Sequence, residues 1–257
     1  MKKPTDLGTN RTGVLASPVD SKKTAEGAAS TPLVDDGGPI DLAMERSSWS
    51  NDAEPVGSMP LPTSIKGAVK TTIDMVRGHH PTVFLDKLGE RLAFERTGVR
   101  LYEALLIKLD AAEVHEGGPT RAEIEQIRDD ELRHFDELRA AMESLGGDPT
   151  AMTPCADVAG VAAAGVVKVL ADPRTTLSQC LDALLMVELV DNDAWVLLAE
   201  LADGFGQKEM ADRFRVALAD EEEHLLLVRR WVNRGVTGQA GLAATPARPD
   251  QGHPANP

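Results

Sequence analysis

The chain is 257 residues long, carries 41 acidic and 27 basic side chains for a formal charge of -14, and is 42% hydrophobic but only 4% aromatic, with two Cys. That length and apolar content supply one proper core in one or two domains. The charge argues against a nucleic-acid binder, which presents a basic patch. Two Cys without a C-x-x-C exclude a disulfide framework, a zinc ribbon and a rubredoxin-type iron site. No transmembrane span is expected, and the start Met1-Lys2-Lys3-Pro4 has no apolar run of a signal peptide. A cytoplasmic protein that meets neither nucleic acid nor membrane is the expectation.

Proline and charge divide the chain. Eleven of the sixteen prolines fall in residues 1–62 and 236–257, and the other five (Pro81, Pro119, Pro149, Pro154, Pro173) stand where helical patterns begin. Residues 1–62 form an N-terminal extension whose Gly/Ser/Thr/Pro/Asp content and missing apolar period predict disorder, and 236–257 reads the same way. In residues 63–77, Ile65, Val69, Ile73 and Val76 lie at helical spacing. They predict a short amphipathic helix within a 63–80 linker, either docked on the body, on a neighbouring chain, or solvated. Residues 81–235 hold 17 basic and 30 acidic side chains, so almost all the negative charge sits on the segment that folds.

Strand patterns are absent, and four stretches have strong helical periodicity. An all-α fold, a four-helix bundle over 81–235, follows. The first helix, about 82–113, carries Leu85, Leu88, Leu92, Glu95, Val99, Tyr102, Leu106 and Leu109 as a heptad seam. The second, about 121–145, presents Ile124, Ile127, Glu131, His134, Leu138 and Leu145, with Thr120 and Glu123 forming a capping box. The third, about 175–203, has Leu177, Leu181, Leu184, Glu188, Asp191, Trp195 and Leu198. The fourth, about 207–234, has Met210, Phe214, Ala217, Glu221, His224, Val228 and Trp231, and is expected to stop at Gly235. Short first and third loops make antiparallel hairpins. The long connection over 146–174 can run back along the bundle as a crossover, leaving the second and third helices parallel. Within it, 155–171 predicts a buried packing helix rather than a membrane span.

Each seam is apolar at both ends and acidic near its middle. Together they bring Glu95, Glu131, His134, Glu188, Glu221 and His224 into one interior layer. Four bare carboxylates there lose hydration worth several kcal/mol each and repel one another, and no Lys or Arg occupies a seam position. Two divalent cations balance four negative charges and coordinate every oxygen. Glu-x-x-His aims two ligands from one helix face, and two such pairs with two single Glu supply six ligands, a known arrangement for bundle cores. Oxygen and imidazole donors without thiolate suit Fe(II), with Mn(II) as the other candidate. A single Glu-x-x-His on an acidic helix is usually a solvated face; it is the coincidence of four such features that points to metal. His79, His80, His115 and His253 fit no such pattern.

A repeat accompanies the ligands. Glu95 precedes Tyr102 by seven residues as Glu188 precedes Trp195, and Asp130-Glu131-x-x-His134 is mirrored by Asp220-Glu221-x-x-His224. Asp130 and Asp220 can accept the second ring N–H of a ligand His on the opposite helix, fixing the ring, or simply be solvated. Tyr102 can hydrogen-bond a ligand carboxylate, lose an electron as a catalytic residue, or pack. Trp195 is expected to pack. Asp191, one turn beyond Glu188, is either an extra, movable ligand or a polar residue bonded to water.

At these residues the sequence resembles the ferritin-like di-iron carboxylate superfamily of ferritins, bacterioferritins and rubrerythrins. The resemblance covers 81–235 and rests on Glu95 with Tyr102, Glu131-Leu132-Arg133-His134, Glu188, and Asp220-Glu221-Glu222-Glu223-His224. It implies that Glu131 and Glu221 bridge two irons, that Glu95 and Glu188 each cap one, and that His134 and His224 bind one apiece. It implies a di-iron oxidoreductase that oxidises Fe(II) with O2 or H2O2. No short fifth helix follows the fourth, so a 24-subunit storage cage is not expected. Asp191 looks closer to rubrerythrin-type sites, although no rubredoxin module is present, and the tails have no counterpart in these families. Two other readings stand beside this one. One is a hydroxylase of an organic substrate, with Gly98 and Ala217 lining a pocket. The other is a metal-stabilised binding or assembly module recruited by a protein partner of residues 1–55. A homodimer is expected for a bundle with an outer apolar face.

Overall fold

The computed structural model describes residues 17–31, 38–59 and 80–242, and among them it contains seven helices and no strand. The chain is all-α. Two compact units divide it, residues 1–54 and 55–257.

The first unit contains α1 (Pro18–Ser30) and α2 (Gly38–Asp52), where disorder was expected. The reason is local. The Ser17 hydroxyl caps α1 by accepting from the Asp20 N–H, and Pro18 pre-sets the first turn. No residue of α1 is buried, and Ile40, Met44 and Trp49 of α2 are exposed. Neither helix is built around a core, and α1 has its side-chain cap.

The second unit contains α3 (Pro81–Asp110), α4 (Arg121–Ser144), α5 (Pro154–Ala171), α6 (Leu177–Gly204) and α7 (Lys208–Gln239). The starts follow from sequence. Thr120 with Glu123 and Thr176 with Gln179 form capping boxes, and Thr153 caps α5 ahead of Pro154. Gly206, at φ 69°, takes the left-handed conformation that turns the chain from α6 into α7. The expected stop of α7 at Gly235 is corrected: the helix continues to Gln239. Gly235 is there for packing, since a Cβ would lie 3.0 Å from the His115 ring. The predicted helix at 63–77 lies outside the described residues, as do 243–257.

Two apolar layers are shared by α3, α4, α6 and α7. One contains Leu101 and Leu105, Ile124 and Ile127, Leu181 and Leu184, and Val228 and Trp231. The other contains Phe84 and Leu88, Leu138 and Met142, Leu198 and Ala202, and Met210 and Phe214. The order in which each helix visits these layers sets its direction: α3 and α7 run one way, α4 and α6 the other. Each fully buried Leu or Phe contributes about 1.5–3 kcal/mol, which offsets the polar groups held between the layers. On α3 the buried positions drift off the strict heptad, so that Leu101 and Leu105 are buried while Val99 is only half-buried. A straight helix of 3.6 residues per turn drifts in this way.

The helix expected at 155–171 forms, as α5, but it is not buried as expected. It packs on α3, with the Asp86 carboxylate accepting from the Cys155 N–H at 2.8 Å. Only Ala156 and Leu170 are buried, while Val158 and Val161 are 56% and 74% exposed. An Ala/Gly/Val helix is apolar all round, and only the side toward its neighbours is covered. By length and composition α5 is also apolar enough to cross a membrane.

Candidate metal centre

Between the two apolar layers lie five carboxylates and two imidazoles from four helices. Glu95, Glu131 and Glu221 are 0% exposed, Glu188 and Asp191 1%, His134 2% and His224 3%. They come together because each interrupts its helix's apolar face near the middle, where both layers give way.

Three groups have ligand atoms within 4.8 Å of one another: Glu95, His134 and Glu221; Glu131, Glu221 and His224; and Glu95, Glu131, Asp191 and Glu221. Glu221 belongs to all three. Its two oxygens lie 2.7 Å from His134 Nδ1 and 3.3 Å from His224 Nδ1. Glu131 has no hydrogen bond to either oxygen, and Glu95 and Glu188 each have one unpaired oxygen. Buried carboxylate oxygens without partners are costly, and oxygen and imidazole donors are those that Fe(II), Mn(II) or another divalent cation takes. The residues present therefore fit metal ions.

The surrounding bonds cross between the hairpins. Tyr102 donates to Glu188, while Trp195 Nε1 donates to Glu95 at 3.1 Å. His134 Nε2 lies 3.3 Å from Asp220, and His224 Nε2 lies 3.3 Å from Asp130. Arg133 spans both of these acids and reaches Asp220 at 2.6 Å. With Nε2 engaged, each imidazole offers Nδ1 to the interior.

The electrostatics are those of five crowded acids with fewer cations beside them, Arg91 on Glu95 and Asp191 and the two imidazoles on Glu221. Burial, then Glu221, pushes Glu188 up to about 8. Burial and then Glu221 and Glu95 raise Glu131. Burial also raises Asp191 despite Arg91 beside it. Burial opposes the charge on Glu221 too, but the two imidazoles outweigh it and hold that carboxyl at about 2. Against its own burial, Asp130 and Glu221 raise His224 to about 10. Burial, then Glu188, raises Tyr102, so its hydroxyl keeps its proton.

Four findings differ from the sequence reading. Glu188 joins none of the three groups and accepts from Tyr102, while Asp191 joins one of them and accepts from Arg91. Trp195, expected only to pack, hydrogen-bonds Glu95 as well as packing edge-on against His134. Gly98 opens no pocket, because a Cβ there would lie 2.1 Å from Glu131 Oε2: the glycine makes room for that carboxylate. Arg91, absent from the seams, is 2% exposed and bonds Glu95 at 2.8 Å and also Asp191. Its position four residues before Glu95 was the available signal. Cavities of about 830, 480 and 200 Å³ are lined by none of the ligand residues.

No family model matches the chain, and neither a curated protein nor a solved structure matches it.

Proposed function

We propose that α3, α4, α6 and α7 form a ferritin-like four-helix bundle, with α5 in the crossover between its second and third helices. Its interior is read as a di-iron oxidoreductase centre that oxidises Fe(II) with O2 or H2O2. The observation that carries this reading is the buried layer of five carboxylates and two imidazoles, in which both oxygens of Glu131 and of Glu221 and one each of Glu95 and Glu188 lack hydrogen-bond partners. Glu95, Glu131, His134, Glu221 and His224 would hold the two ions, with Glu188 and Asp191 adjacent. Iron, when bound, supplies one electron per ion, two in all, for reduction of the oxidant.

The chain's own residues do the rest. Glu221, shared by all three ligand groups, fixes the two positions relative to each other. Asp220 and Asp130 orient His134 and His224 through Nε2 and raise the basicity of Nδ1. Tyr102 holds a proton at its hydroxyl oxygen and directs it to Glu188. The apolar layers exclude water, which strengthens every charge interaction between them. The acidic surface raises the local concentration of cations. Hydroxylation of an organic substrate has less support, since the space beside Gly98 is filled by Glu131.

Anaerobic titration of the metal-free chain with Fe(II), followed by O2 or H2O2 in separate stopped-flow mixes, tests the reading. The expected result is saturation at about two Fe(II) per chain and their joint oxidation by one oxidant at a rate above that of free Fe(II). Saturable binding without accelerated oxidation would leave a metal-stabilised bundle and remove the enzyme.

A further inference from the structure

The internal repeat has two exceptions in its interior, and they touch each other. Aligning Glu95 with Glu188 pairs Tyr102 with Trp195, Arg91 with Leu184, and Gly98 with Asp191. One helix therefore carries an extra buried cation and the other an extra buried anion. Arg91 Nη2 bonds both Asp191 and Glu95, and the guanidinium lies 4.1 Å above the Phe94 ring. Arg91 Nε and Nη1 are buried without partners. An arginine held so dry has no solubility role; its charge is spent on the two acids it touches.

The charge count gives the pair a purpose. Glu95, Glu131, Glu188, Asp191 and Glu221 are five buried acids, and Arg91 is the buried cation directly among them. With the acids ionised and the imidazoles neutral, as metal binding requires, the difference is four negative charges, the number that two divalent cations neutralise. Asp191 also lies within 4.8 Å of the ligand oxygens of Glu95, Glu131 and Glu221, close enough to compete for metal. One of its oxygens, however, is taken by the Arg91 guanidinium.

We propose that Arg91 is a positioning residue that holds Asp191 out of the coordination sphere and sets the interior charge for two divalent cations. This rests on the two-cation reading above. It sets Asp191 apart as the acid that the protein neutralises itself. Removing both members of the ion pair leaves the charge at four and the ligand set intact. Removing only Asp191 strands the guanidinium beside the metals and repels them. Removing only Arg91 frees Asp191 as an additional ligand.

The test is Mn(II) binding to the metal-free full-length chain, read by EPR and calorimetry, with no turnover required. Wild type is expected to bind two Mn(II). Asp191→Asn weakens binding by about tenfold or more, as expected of an unpaired charge a few ångströms away. Arg91→Gln tightens it by a similar factor. The double variant R91Q/D191N returns to within about threefold of wild type, the compensation that defines coupling in a double-mutant cycle. If Arg91→Gln does not fold, the comparison of D191N with R91Q/D191N alone decides. Recovery in the double variant supports the proposal. A double variant as weak as D191N makes Asp191 a required ligand and overturns the proposal, while two Mn(II) in wild type would leave the two-cation reading standing. Wild type that binds no Mn(II) or Fe(II) overturns both. Arg91→Lys, which keeps the charge, is expected to stay near wild type; a loss as large as that of D191N would count against a charge-setting role.

Discussion

The hairpin of α3 and α4 and the hairpin of α6 and α7 present the same pattern to the interior, yet they are not used equally. In both, a single Glu precedes an aromatic by seven residues and an Asp-Glu-x-x-His follows on the next long helix. The shared parts exchange partners across the interior: Tyr102 with Glu188, Trp195 with Glu95, Asp130 with His224, Asp220 with His134. The matched glutamates do not stand alike. Glu221 stands in all three ligand groups and its mate Glu131 in two; Glu95 stands in two and its mate Glu188 in none. The repeat thus supplies the kinds of ligand, and the departures from it (Arg91, Gly98, Asp191) set where each carboxylate lies and what charge remains.

The largest expected effect tests that inequality. Glu221→Gln is expected to leave fewer than one tightly bound metal per chain, because every group loses an oxygen. Glu131→Gln keeps one at reduced affinity, and Glu188→Gln does least of the three. Metal analysis after equilibrium dialysis against Mn(II) ranks them. Equal losses in E221Q and E188Q would restore the symmetric assignment and refute the unequal one. Glu131→Gln also removes a buried acid that has no hydrogen bond and whose ionisation is opposed by burial, Glu221 and Glu95. It should stabilise the metal-free protein at neutral pH by about 1–3 kcal/mol while weakening metal binding, opposite signs that follow from burying an acid that ionises freely only in the unfolded chain.

A pH effect on the metal-free protein comes next. Glu188, at about 8 against an ordinary 4.5, stays protonated when folded where the unfolded chain ionises, so folding is progressively disfavoured as pH rises from 4.5 to 8. His224, at about 10 against 6.5, stabilises the fold while protonated and loses that contribution as pH rises from 6.5 to 10. The two act in the same direction. Glu221, at about 2, contributes stability above 4.5 that disappears as pH falls toward 2. Metal-free melting temperature is therefore expected to fall from pH 5 to pH 9, and saturating Mn(II), which requires the acids ionised, should remove that fall. A melting temperature that rises over this range would mean that the acids are ionised and satisfied without metal.

What the sequence made legible was the part written in periodicity. Glu95, Glu131, His134, Glu188, Glu221 and His224 replace apolar residues in helical register, so their burial could be read without coordinates. The Thr120–Glu123 cap could be read likewise, being local. Arg91 could not be placed in this way: it lies off the seam, and a long flexible stem carries its charge in from there. Gly98 looked like a small residue leaving space, whereas its missing Cβ is already occupied by Glu131, a fact of helix approach and not of pattern. Trp195 was legible as bulk, but the direction of its N–H was not. For α5 the composition gave a helix and could not say how much of an all-round apolar surface its neighbours would cover.

Gly98 and its mate Asp191 give the third comparison. Gly98→Ala puts a methyl group where Glu131 Oε2 now lies, 2.1 Å away. Displacing a buried carboxylate in a close-packed interior should destabilise by about 1–3 kcal/mol and weaken Mn(II) binding, seen by urea denaturation and by titration on the same preparation. An alanine tolerated without either change would mean that Glu131 has an alternative position, and the unequal places of Glu131 and Glu221 in the ligand groups would lose their steric basis.

The smallest effects belong to the acids behind the histidines. Loss of such a partner costs about 10–100-fold in metal affinity when the contact is dry. The Asp130 side chain is 10% exposed and also accepts from Gln126, whereas the Asp220 side chain is 31% exposed. Water can replace Asp220 more readily than Asp130, so Asp130→Asn should weaken Mn(II) binding more than Asp220→Asn. Arg133, 55% exposed, tethers both acids from one hairpin, and its counterpart on the other is Glu223. Screened pairs of this kind contribute about 0–1 kcal/mol, so Arg133→Gln should change affinity least of the three, and less still in high salt. If Arg133→Gln instead matched Asp130→Asn, the orientation of both histidines would depend on one surface arginine, and the two halves of the centre would be coupled through it rather than built independently.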